Sequence, residues 1–208
     1  MTTLNRFSKL FLLTSLLIIG LNNNSSAQEV EEHLVYASNE LNLGNYIGYS
    51  ADLNYIYNEK YSAKIGLIAN IRRSPNEPSN YNPGIAKILT FGLADAREVV
   101  ASANLLVGRI YNLNSKKSLR VNASVGLGYT SIEVPVNFQK IDQNFLIGNY
   151  TYDIEKKNTV SFIINPKLEI PLGQIFGFTV SPTAVFNSES TYYGIGIGYM
   201  IGLIRSKP

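Results

Sequence analysis

Along residues 191–204, apolar and bare positions alternate almost without error. Tyr193, Ile195, Ile197, Tyr199, Ile201 and Leu203 share one parity, and Gly194, Gly196, Gly198, Met200 and Gly202 the other. Successive side chains of a strand point to opposite faces, so the segment carries one smooth apolar wall and one nearly bare wall. Helical spacing does not reproduce the pattern. Such a strand suits a chain that meets lipid on its outside and a cramped lumen on its inside.

The same sorting recurs upstream. Between residues 119 and 131 the odd positions read Leu119, Val121, Ala123, Val125, Leu127 and Tyr129, while the even ones read Arg120, Asn122, Ser124, Gly126, Gly128 and Thr130. From 47 to 57 the odd face is Ile47, Tyr49, Ala51, Leu53, Tyr55 and Tyr57, and the even face carries Gly48, Ser50, Asp52 and Asn54. Alternating runs bounded by Gly, Pro, Asn and Ser predict eight strands, near 30–38, 44–57, 61–72, 99–111, 118–133, 158–170, 177–187 and 190–204. Connections 58–60, 112–117 and 171–176 are short, whereas 73–98 and 132–157 are long. That alternation is expected when one rim faces the periplasm and the other the exterior, and an even strand number puts both termini on the periplasmic side. The predicted fold is therefore all-β: a transmembrane antiparallel up-and-down barrel of about eight strands.

A soluble lipocalin-like barrel would show the same alternation with its faces exchanged. A water-facing wall normally carries many Lys and Glu, but here the polar parity is mostly Gly, Ser, Asn and Thr. Tyr57, Tyr61, Tyr111, Tyr129 and Tyr193 fall toward strand ends on the apolar parity, where interfacial aromatic girdles sit. Both observations favour lipid outside. Pro166 and Pro182 fall within predicted strands, where each marks a bulge or a wet rim position, and Arg109 shares the lipid-facing parity close enough to Tyr111 to snorkel.

Residues 1–27 have the three parts of a secretory signal: Arg6 and Lys9, an apolar run over 10–21, and a polar stretch ending in Ser25-Ser26-Ala27. The run is too short for a spanning helix, which needs roughly 20 residues. Cleavage would leave residues 28–208 as one barrel domain. The Ser-Ser-Ala-Gln junction resembles those of exported Bacteroidota proteins. There is no Cys in the chain, hence no lipoprotein acylation site, disulfide or thiolate metal site. The net charge of +3 falls to about +1 when Arg6 and Lys9 leave, too little to argue for nucleic acid.

Lumen parity also holds Asp52, Lys64, Arg72, Arg120, Lys167 and Glu169. Eight strands enclose only enough room for side chains, so these charges are expected to meet one another, with a narrow gated ion path as the functional alternative. If Tyr57 pairs with Tyr61, Asp52 lies opposite Gly66 and diagonal to Lys64. Arg120 and Glu169 are expected at one height. The one histidine, His33, has no Ser or Asp at a spacing that ties it into a triad. Gly194-x-Gly-x-Gly198 is followed by no helix and is no dinucleotide fingerprint. No catalytic residue, cofactor or metal is expected.

The eight runs, the alternating connections, the signal and the final glycine–aromatic strand together resemble the small bacterial outer-membrane barrels, the OmpA-barrel, OmpX-like and "porin family" group. The resemblance implies an outer-membrane location and assembly by the barrel assembly machinery through residues 194–203. The usual terminal aromatic is replaced here by Arg205-Ser206-Lys207-Pro208. Members of this group range over anchors, adhesins, pores and lipid enzymes, and the barrel does not choose among them. The function expected is structural, or binding of an extracellular ligand through 73–98 and 132–157, with a porin-like channel as the alternative. In the first loop the apolar stretch 85–93 reads as a plug or a partner contact. The second, with Phe138, Phe145, Tyr150 and Tyr152, reads as a hairpin continuing above the bilayer.

Overall fold

A computed structural model describes residues 33–84, 96–141 and 148–205. Eight strands follow one another: β1 His33–Gly44, β2 Ile47–Tyr57, β3 Tyr61–Arg73, β4 Arg97–Asn112, β5 Arg120–Lys140, β6 Tyr150–Pro171, β7 Phe176–Phe186 and β8 Thr191–Leu203. Each pairs antiparallel with its neighbours, and β8 closes on β1. This is the closed up-and-down barrel that the alternation implies. The signal segment 1–27 and the apolar stretch 85–93 lie outside the described residues.

Connections set the register. Asn58 and Glu59 both have positive φ, 50° and 52°, so the β2–β3 reversal is tight and Tyr57 pairs with Tyr61. Asp52 then stands opposite Gly66 and lays its carboxylate over the bare Cα: a Cβ there would lie 2.1 Å from the Asp52 Oδ1 and would displace it. Gly202, at φ 137°, bends the end of β8 so that Ile204 donates its N–H to the Gln174 carbonyl at 2.9 Å and is fully buried in the barrel end.

The faces sort as lipid outside. Ile47, Ile65, Leu105, Val107, Leu127, Val160 and Ile197 are all exposed on the outer wall. The lipocalin-type arrangement, with aliphatic side chains around a ligand cavity and charges outside, is not the one seen. The lumen is less uniformly polar than its parity pattern suggested. Leu34, Tyr36, Ile56, Ile110, Met200 and Ile204 fill the end that carries the termini. Tyr46, Ile68, Val100, Leu106, Ile132, Ile163, Val185 and Tyr192 fill the opposite half.

Several boundaries differ from the sequence expectation. β1 runs six residues past Ser38, to Gly44, bringing Glu40 and Asn42 into the lumen. β5 and β6 reach Lys140 and start at Tyr150, so most of the long connection 132–157 is an extended hairpin. At 21 and 22 residues these strands are about twice the 9–11 that cross a bilayer. Residues 150–161 of β6 pair with β5 alone, since β7 begins its ladder at Phe162–Phe186.

Candidate functional site

The inward face of β6 is the spine of the lumen. Period-two geometry points Ser161, Ile163, Asn165, Lys167 and Glu169 at the axis. Nearest the termini, Glu169 pairs in register with Arg120, whose Nε donates at 2.6 Å to Glu169 Oε2 and whose Nη1 donates at 2.8 Å to the Ile204 carbonyl. Tyr36 donates its hydroxyl to Glu169, and Asn122 adds its amide at 3.2 Å. One step along, Lys167 Nζ reaches across the barrel to Ser38 Oγ at 2.8 Å, Asp52 Oδ2 at 2.9 Å and Glu40 Oε1 at 3.0 Å. Ser181 donates to the same Glu40 oxygen at 2.7 Å. Lys64, on the next level, donates to Asn165. A void of about 20 Å³ remains beside Lys64, Glu40 and Asp52, room for about one water.

Arg120 thus meets Glu169 and Lys167 meets Asp52 and Glu40 inside the barrel, with Lys64 held by Asn165 beside them. Asp52 binds Lys167 rather than Lys64, its diagonal neighbour. Arg72 stands apart from this group, at the rim opposite the termini, where Glu98 accepts from its Nε at 2.8 Å and Nη2 at 2.7 Å. Its guanidinium lies 4.5 Å over the Tyr46 ring, and Tyr46 donates to Glu98 at 2.5 Å. Burial first, and the Glu98 carboxylate next, push the Tyr46 phenol well above its ordinary pKa.

Glu40, Glu98, Tyr36, Tyr46 and Ser38 are among the members not expected from the sequence. Glu40 and Glu98 fell just outside the strands assigned to them. The signal for Tyr36 was its even parity among the inward residues of β1.

Outside the lumen, the extended hairpin is tied to residues 80–82. Asn149 donates its N–H to the Asn82 carbonyl at 2.9 Å and its side-chain amide to the Asn80 carbonyl at 2.7 Å, and Asn82 returns its N–H to Asn149 Oδ1 at 2.6 Å. Tyr150 donates to Asn80 Oδ1 at 2.8 Å. The tie gathers Tyr81, Phe138, Tyr150 and Tyr152, with ring centroids from 5.4 to 6.5 Å apart. A bulge between Val136 and Gln139, with Asn137 at φ 54°, turns Phe138 toward Tyr152.

Of the five tyrosines read as interfacial, Tyr57, Tyr61 and Tyr111 gather at the termini end, Tyr193 stands near the start of β8, and Tyr129 lies along β5. His33 joins the first group: its Nδ1 is 2.7 Å from the Tyr55 hydroxyl, and its ring packs on Tyr55 and Tyr57. Among the described residues, no cluster of three or more His, Asp or Glu could hold a metal ion.

Fold and face sorting define an eight-stranded transmembrane β-barrel with a lumen closed by its own side chains. No protein-family model and no curated protein sequence matches the chain. Among solved structures it is similar to Ail, the attachment invasion locus protein of Yersinia pestis, at 11% identity over 81% of this chain and 95% of that one, with a TM-score of 0.43. The N-terminal β-barrel domain of Pseudomonas aeruginosa OprF matches at 10% identity over 84% and 99%, TM-score 0.47. Neisserial surface protein A matches at 6% over 81% and 95%, TM-score 0.48. At such identities no residue role transfers.

Proposed function

We propose that the chain is a non-enzymatic outer-membrane barrel that acts by holding a binding surface above the bilayer, and not by passing solute through its lumen. Residues 1–27 serve as a cleaved signal, the termini face the periplasm, and the barrel assembly machinery inserts the rest. The observation that carries this reading is Lys167: fully buried, it crosses the axis to Asp52, Glu40 and Ser38. An ion path along the axis would have to break those contacts, and apolar clusters block the lumen on either side. The binding surface is the β5–β6 hairpin with residues 80–82 tied to it, and its occupant is an extracellular ligand.

Planar-bilayer recording on the refolded protein tests the proposal. A flat current trace at all holding potentials is the expected result. Discrete conductance steps that change size in Arg120→Ala or Glu169→Ala would establish the channel reading instead.

A further inference from the structure

The outer wall is not smooth. On β3, β4 and β5 one outward row reads Leu67, Ala103, Tyr129, and Ala103 is its low point. With Leu105, Leu127 and Val160 beside it, the row forms an apolar groove of about 440 Å³ open to the lipid side. On the same face of β4, six residues nearer the termini, stands Arg109. Every other outward residue of β4 between Val99 and Tyr111 is Ala, Val, Leu or Tyr. The Arg109 guanidinium lies 5.6 Å from the centre of the Tyr111 ring, with Tyr61 across the ladder, so it sits among tyrosines at the barrel end.

We infer that the groove and Arg109 together hold one glycerophospholipid, its phosphate on the guanidinium and one acyl chain lying over Ala103. Four to six residues of strand separate Arg109 from Leu105 and Ala103. At about 3.3 Å per residue and a tilt of about 40°, the groove lies about 10–15 Å deeper than the charge. Half of a hydrocarbon core of about 30 Å spans the same distance, so a lipid anchored at its headgroup boundary lays its chain there without stretching. A second copy of the chain would also fill an apolar hollow, but the guanidinium beside Tyr111 marks the boundary end of the groove as a seat for an anionic headgroup. Charge selects the lipid. The assignment rests on the barrel being embedded in a bilayer.

The test is native mass spectrometry of the protein extracted in a neutral detergent and titrated with 16:0/18:1 phosphatidylglycerol. The wild type retains one lipid after the detergent is stripped. R109Q weakens that adduct about tenfold, the loss of one charge-assisted contact. A103F fills the groove and removes the adduct, whereas A37F, on the outer face of β1, leaves it unchanged. A graded ladder of adducts alike in all four proteins would mean annular lipid only and overturn the site. A dimer peak lost in A103F would make the groove a contact between copies and overturn it too. Were the protein instead monodisperse in detergent-free buffer, the membrane reading itself would be what had failed.

Discussion

At the residue scale, Lys167 has the most to lose. It is fully buried, and three acceptors, two of them carboxylates, converge on its Nζ. A buried ion pair contributes little net stability against a well-packed apolar replacement, because desolvation offsets attraction, but removal of one partner strands the other at a cost of about 3–5 kcal/mol. Lys167→Met keeps all but the last atom of an unbranched side chain and deletes the charge, leaving Asp52 and Glu40 together without the cation that bridges them. The urea midpoint in detergent micelles is expected to fall by an amount equivalent to that cost. The triple variant Lys167→Met, Asp52→Asn, Glu40→Gln should recover most of the loss, since neither carboxylate is then stranded. If the single variant loses less than about 1 kcal/mol, Lys167 is not the closing contact of the lumen.

At the element scale, the β6–β7 seam is the weak join of the barrel. Its ladder breaks between Ile164–Ala184 and Leu168–Val180, and the same register puts Pro166 opposite Pro182 inside the gap. Two residues without a backbone N–H face each other, so the donors that would continue the ladder do not exist. Asn165 spans the gap with its side chain, donating at 2.7 Å to Thr183 Oγ1 while accepting from Lys64. Asn165→Ala should therefore cost about 2–3 kcal/mol, because it orphans the buried Lys64 ammonium, while the Thr183 hydroxyl keeps its bond to the Ser181 carbonyl. Hydrogen exchange should quicken mainly in β7, and equal quickening in all eight strands would contradict a local seam. The sequence located both prolines, yet the pairing depends on the register of the 172–175 turn, which no local pattern records. Strand number and face were legible because lipid demands a continuous apolar parity. The end of β1 was not, since Ser38, Asn39 and Glu40 are polar on both faces, the outward Asn39 being satisfied by the Tyr49 hydroxyl. The tops of β5 and β6 were hidden for a related reason: beyond the bilayer no face has to be apolar. Within the lumen, Arg120 and Glu169 could be placed at one height from two short turns, whereas contacts across the axis, such as Lys167 with Glu40, depend on closure of the whole barrel.

On the scale of the whole molecule, closure and projection separate into two parts of one chain. Apart from Arg72–Glu98 at the far rim, the charged contacts of the lumen join inward residues of β1, β2, β3, β5 and β6, all on the termini side of Ile132 and Ile163. Among the described residues, the hairpin beyond Glu133 and Lys156 adds no charge to that network, and its ties run to residues 80–82 instead. Stability should therefore reside in the barrel and recognition in the projection. Replacing residues 137–152 by an Asn-Gly turn joins Val136 to Asp153, which already face each other in register, and Asn-Gly supplies the positive φ values that a two-residue reversal needs. The shortened protein should still fold, migrate as a heat-modifiable barrel on gels and unfold within about 1 kcal/mol of the parent, because the lost stretch of β6 pairs with β5 alone and joins no other strand of the barrel. It should also lose the aromatic cluster of Phe138, Tyr150 and Tyr152 and, with it, any binding to cells or matrix that the full chain displays. Failure of the shortened chain to insert would mean that the projecting strands nucleate the barrel. Retention of binding would move recognition to another rim segment.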